Sequence, residues 1–107
     1  RERNPNVSRR VADAVEKGEC YIGITLCGSG NGSNMASNKH EGIRSAICWK
    51  TEIAELARLH NNANICALPA RFLEYDEAVD IIDVFLKTEF EEGGRHKRRI
   101  EKIPIKK

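Results

Sequence analysis

Residues 21–27 read YIGITLC and run straight into Gly28-Ser29-Gly30-Asn31-Gly32. A short apolar run rich in β-branched residues is what a strand buried in a parallel sheet looks like. A parallel neighbour cannot be reached by a hairpin, so such a chain must return through a crossover, usually a helix. The rest of the sequence has that form. Residues 43–48 and 63–68 predict two further strands. Val7, Val11, Ala14 and Val15 predict a helix over 7–17, with Ser8 as its N-cap and Gly18 as its stop. A short helix is expected from about Ser33 to Asn38. Thr51 is expected to cap a helix with Ile53, Ala54, Leu56 and Ala57 on its apolar face. Residues 76–90 carry Val79, Ile81, Ile82, Phe85 and Leu86 at helical spacing. Gly93-Gly94 should break that helix. A last basic helix, from Arg95 to about Ile103, should stop near Pro104. Alternating strands and helices predict an α/β fold with helices on both faces of a parallel sheet. Three strands make a thin core, so one or two more are expected upstream or from a partner chain.

The chain has 107 residues, one domain's worth. It contains no run near the ~20 apolar residues of a membrane span and no apolar leader with a cleavage site, so a cytoplasmic protein without membrane contact is expected. The four cysteines, Cys20, Cys27, Cys48 and Cys66, form no C-x-x-C pair. Zinc and dithiol redox sites are therefore disfavoured, and free thiols packed in a reducing compartment are expected. Net charge is +2, unevenly placed: 74–92 holds eight acidic residues and one lysine, and 95–107 holds seven Lys/Arg and one Glu. No aromatic residue interleaves with the basic ones, so a stacking platform for nucleic acid is not expected.

Three places could carry chemistry. Cys27 ends a strand and precedes a glycine-rich turn into a helix. Open α/β sheets place their sites at such strand ends. Glycines let backbone N–H groups approach an anion, and the same location lowers a thiol's pKa. Equally, the loop can be a plain turn and Cys27 a filler of the strand end. His60 follows a helix, in His60-Asn61-Asn62-Ala63-Asn64, where a helix C-terminus favours imidazolium and amides abound; a polar loop closing a helix has the same composition. His40 and His96 read as solvent-facing neighbours of charged residues. Arg95 and Arg99, four apart, share a helix face and suit a phosphate, though a solvated basic helix has the same pattern. Taken together, a thiol, an anion-holding loop, a histidine and two arginines suit proton abstraction beside a carbonyl in a phosphorylated substrate.

Cys27-Gly28-Ser29-Gly30-Asn31-Gly32, Ala36-Ser37-Asn38-Lys39, Gly42-Ile43-Arg44, His60-Asn61-Asn62-Ala63-Asn64, Ala70-Arg71 and the run from Glu92 to Ile100 resemble, in order and spacing, the signature of the B-type ribose-5-phosphate isomerases. The galactose-6-phosphate isomerase subunits share much of the pattern. The resemblance implies a three-layer α/β/α Rossmann-like parallel sheet. It implies a single domain over 1–107 that forms the C-terminal part of the family domain, N-terminally incomplete because the family's opening strand with its Asp-His pair has no counterpart. It implies a homodimer or tetramer acting on a sugar phosphate with no metal or organic cofactor, each site pooling residues of two subunits. Cys27 would be the base and Ser29 its hydrogen-bond donor. Backbone amides of Gly28, Gly30, Asn31 and Gly32 would hold the enediolate. His60 would help open the ring, Asn61 would bind sugar hydroxyls, and Arg71, Arg95 and Arg99 would bind phosphate. Members without the cysteine use a Glu just after the loop. Ser33 stands there, which points to the cysteine-base subtype. The alternative within the same fold is a catalytically silent subunit that binds phosphate sugars.

Overall fold

The computed structural model describes residues 5–92 and 95–103. The expected break at Gly93-Gly94 and the stop at Pro104 lie outside the described residues. The described elements run α1 (Pro5–Glu16), β1 (Gly23–Cys27), α2 (Asn31–Ser37), β2 (Ser45–Ile47), α3 (Thr51–Leu59), β3 (Ile65–Pro69), a 3-10 turn (Ala70–Phe72), α4 (Tyr75–Lys87) and α5 (Arg95–Glu101). The strands form one parallel sheet in the order β1-β3-β2, with Gly23 opposite Ile65 and Ser45 also opposite Ile65.

The last strand in sequence is thus the central one, and all five of its residues are buried. Its side chains alternate between the faces, as a strand's must. Ile65 packs with Ala12, Val11 and Val15 of α1 and with Ile43. Cys66 and Leu68 point the other way, into the larger core made with Ala54 and Ala57 of α3 and Ile81 and Phe85 of α4. This is the expected three-layer architecture. Among the described residues no helix is long and apolar enough to cross a membrane.

Local details correct several expectations. Helix α1 begins at Pro5, a residue suited to a helix's first position, so Ser8 lies inside the helix and buried instead of capping it. Ala12 takes the core position while Val7 is half exposed. Gly18 does close the helix, in the left-handed region at φ 79°. On α3 the residue before the first helical position is Lys50, so Thr51 is not the cap. Leu56 is exposed and Arg58 is buried in its place. Helix α4 opens with a reciprocal capping box between Glu74 and Glu77 and stops at Lys87, short of the expected Phe90. The strands are shorter than the apolar runs. Tyr21 is exposed, and Arg44 spends its backbone N–H on the Asn64 side chain at 2.8 Å rather than on a ladder.

Candidate functional site

Cys27 lies at the carboxyl end of β1, opposite Pro69 of β3. The chain then turns over that end of the sheet. Gly30 precedes α2 in the left-handed conformation, φ 84° and ψ −14°, and a Cβ there would lie 3.4 Å from the Ile47 side chain and 3.5 Å from the Pro69 backbone. Only glycine meets both demands cheaply. Gly28 faces a second close neighbour: a Cβ on it would meet Arg71 Nε at 3.1 Å. The Arg71 backbone N–H also donates to the Gly28 carbonyl at 3.0 Å. The 3-10 turn after β3 therefore delivers an exposed guanidinium to the loop that follows the thiol.

The thiol is half buried, and its pKa is held below the usual cysteine range. The Ser33 hydroxyl is the largest cause. Burial opposes it, and the backbones of Ser33, Gly30 and Gly28 reinforce it. The Ser33 oxygen is buried with no hydrogen-bond partner among the described residues, so it is free to serve the thiolate. Ser29, expected beside the sulfur, instead accepts the Asn31 N–H at 3.2 Å and lies exposed. In the sequence Ser33 stands out as the expected start of a helix and as a place where family members can carry a carboxylate, not as a partner of the thiol. Its position in the first turn of α2, six residues after Cys27, was the available signal.

His60 lies elsewhere. Helix α3 leaves the carboxyl end of β2 and must run back so that β3 can start parallel to it, so Leu59 and His60 reach the amino end of the sheet. Five strand residues put about 13 Å between the two ends, and nine helical residues give the same figure. The surrounding bonds agree: Asn64, just ahead of β3, accepts from Gly23 N–H at the start of β1. One chain thus keeps Cys27, Gly28, Gly30, Asn31, Gly32 and Arg71 at one end, and His60, Asn61 and α5 at the other.

At that second end the asparagines divide. Asn64 bonds Arg44 N–H and the Gly42 carbonyl, at 2.8 Å each. Asn62 adopts φ 47°, accepts from Arg44 Nε at its carbonyl and offers its side chain to Arg58. Both are structural. Asn61 is exposed and makes no side-chain hydrogen bond among the described residues. Arg58, which sequence reasoning passed over, reaches the Thr88 and Ala63 carbonyls and the Tyr21 hydroxyl from a buried position, and so fixes the turn that carries His60. His96 keeps part of its surface in solvent, but its ring also stacks on His60, centroids 4.0 Å apart and planes 8° apart. Arg95 and Arg99 flank it on α5, exposed.

His40 is likewise tied down, 3.2 Å from Asp13 and 3.3 Å from Glu16. That trio could hold a cation, since its three ligand atoms lie within 4.8 Å of one another; it is equally satisfied by the contacts of the His40 ring with the two carboxylates of α1. Of the cysteines, Cys48 and Cys66 are buried packing thiols, and Cys66 is pushed up by the Cys48 thiol beside it and by burial. Cys20 is exposed, not packed as expected.

A family model described as "Ribose/Galactose Isomerase" matches residues 1–103. The ribose-5-phosphate isomerase B of Escherichia coli is 40% identical over 99 residues, which are 92% of this chain and 66% of that protein. A solved structure of Clostridium thermocellum ribose-5-phosphate isomerase B has a TM-score of 0.89 at 48% identity, covering 92% of this chain and 66% of that one. The Mycoplasma genitalium enzyme, solved with bound ribulose-5-phosphate, has a TM-score of 0.89 at 45% identity, covering 95% and 67%. The chain spans just under two thirds of the length of the curated relatives it matches, 65% and 66% in M. genitalium and E. coli.

Proposed function

The chain belongs to the ribose/galactose isomerase family, and from that premise we propose that it isomerises a sugar phosphate, interconverting ribose 5-phosphate and ribulose 5-phosphate. The observation that carries the reading is the placement of the Cys27 thiol at a strand end, beside a glycine loop and a guanidinium. The Cys27 thiolate takes the proton from the carbon next to the substrate carbonyl. The resulting charge moves to oxygen as an enediolate, where the N–H groups of residues 28–32 stabilise it. The hydroxyl proton on the second oxygen passes to the first, and the same thiol returns the carbon-bound proton to the neighbouring carbon, which completes the aldose–ketose exchange. Ser33 favours the thiolate form of the sulfur. His60 moves the ring-opening proton, Asn61 holds sugar hydroxyls, and Arg71, Arg95 and Arg99 neutralise the phosphate.

Cys27 and His60 belong to opposite ends of one chain, so the working site takes each from a different copy, and the functional unit is a dimer or a higher oligomer. Free cysteines throughout suit a reducing, cytoplasmic setting. The same separation favours one second reading, a subunit that binds phosphate sugars at one half-site and does not turn them over. The assay is interconversion of ribose 5-phosphate and ribulose 5-phosphate. Cys27→Ala should cut kcat by about 10²-fold or more with little change in folding, the scale of a positioned general base. Near-normal kcat in that variant would place the base elsewhere. Binding of ribose 5-phosphate with no turnover by the unaltered chain would select the second reading.

A further inference from the structure

We propose that His96 is a positioning residue: its ring, stacked on His60, clasps α5 to the end of α3 so that His60, Arg95 and Arg99 form one rigid half-site.

The geometry is specific. The two rings lie nearly parallel, at 8° and with centroids 4.0 Å apart. A second tie lies just upstream of α5, where Glu91 N–H donates to the Leu59 carbonyl at 3.0 Å. Together they hold the approach to α5 and its first turn against the last residues of α3. Helix α5 has no buried residue of its own. It is seven residues long, too short to persist without an anchor. Arg95 and Arg99 lie either side of His96 in sequence, so where the ring goes, both guanidinium groups follow.

Charge decides when the clasp holds. Facing His96 are His60 on α3, Arg95 and Arg99 on its own helix, and Glu91 ahead of it. Burial, then His60, then the two arginines hold its pKa below the ordinary 6.5, and Glu91 alone opposes them. A group whose folded pKa is depressed contributes stability that is present above its unfolded value and lost as pH falls through the folded one. The docking of α5 is therefore complete above about pH 6.5 and loosens on acidification.

The inference rests on the isomerase reading for its kinetic test alone. With ribose 5-phosphate as substrate, His96→Ala should raise KM about tenfold or more with a smaller change in kcat, as expected when phosphate contacts are misplaced rather than the base removed. His96→Phe keeps a flat ring that cannot take a proton. It should return KM to within about threefold of the unaltered chain and abolish the extra rise in KM on acidification. Phe as impaired as Ala, or Ala without effect, overturns the clasp. A second measurement needs no turnover: histidine C–H resonances followed by NMR against pH. His60→Asn should move the His96 midpoint upward, and a midpoint that stays put means the rings do not meet in solution. A chain with no turnover but a displaced His96 midpoint loses the isomerase reading and keeps the clasp.

Discussion

At the scale of single residues, the thiol and its surroundings divide into what a linear pattern can show and what it cannot. Cys27 at a strand end before a glycine loop is a local pattern, and the strand end and the turn are where the sequence puts them. The partner of the sulfur is not local in the same way. Ser29 is nearer in sequence, but the turn spends its hydroxyl on the Asn31 amide. Ser33 reaches the thiol only because α2 starts at Asn31, two residues earlier than expected, and brings its first turn back over Cys27. Removing that hydroxyl tests the arrangement. In a Cys20→Ser background, Ser33→Ala should shift the pH midpoint of Cys27 alkylation by iodoacetamide upward. The melting temperature should hardly change, because the buried hydroxyl has no other partner to lose. An unmoved midpoint would assign the acidity to the loop amides alone.

At the scale of elements, strands were legible as apolar runs, while their ends were set by ladder partners that a single segment cannot reveal. Helix faces were legible where the core side is apolar throughout, as with Ile81 and Phe85 on α4. Helix α3 misleads because a polar residue takes the inner position. Arg58 is almost fully buried and serves the Thr88, Ala63 and Asn62 oxygens and the Tyr21 hydroxyl. Arg58→Met keeps the length and strands those groups, so urea unfolding should register a loss of about 2–4 kcal/mol. Helix α2 offers the opposite case. A Cβ at Gly32 would meet nothing within 4 Å, and the residue is helical. Gly32→Ala should leave stability unchanged or raise it by up to about 1 kcal/mol. If a sugar phosphate sits against this backbone, the same methyl group should weaken its binding, measured as a higher KM at unchanged or higher melting temperature.

At the scale of the whole molecule, the three-layer plan follows from strand–helix alternation and shared sites from the family resemblance, but the sorting of residues between two half-sites follows from neither. It depends on where α3 and its closing turn end against the strands, which the parallel register of β2 and β3 makes explicit. Leu26, Leu56, Phe72, Tyr75 and Leu86 are all exposed, more large apolar surface than a small solitary domain usually shows. Sedimentation at micromolar concentration should find a dimer or larger, and a well-folded monomer would count against it. Mixing decides whether sites are shared. Cys27→Ala and His60→Ala chains, each inactive, should recover up to about a quarter of the normal activity when unfolded and refolded together, since mixed pairs contain one site with both residues intact. No recovery would mean that each chain builds its own site.

The place of β3 has a consequence for the making of the protein. Every ladder among the described strands includes β3; β1 and β2 do not pair with each other. While the ribosome has released only residues up to Asn64, those two strands have no common partner, and their apolar sides wait uncovered. Helices α1 and α3 can flicker into being on their own, but this sheet cannot zip until residues 65–69 arrive and join both neighbours in one step. Such late, long-range closure is slow compared with helix formation. Nascent chains stalled before Ile65 should therefore be cut readily by protease, and chains extended past Lys87, which also carry the covering helix α4, should abruptly resist it.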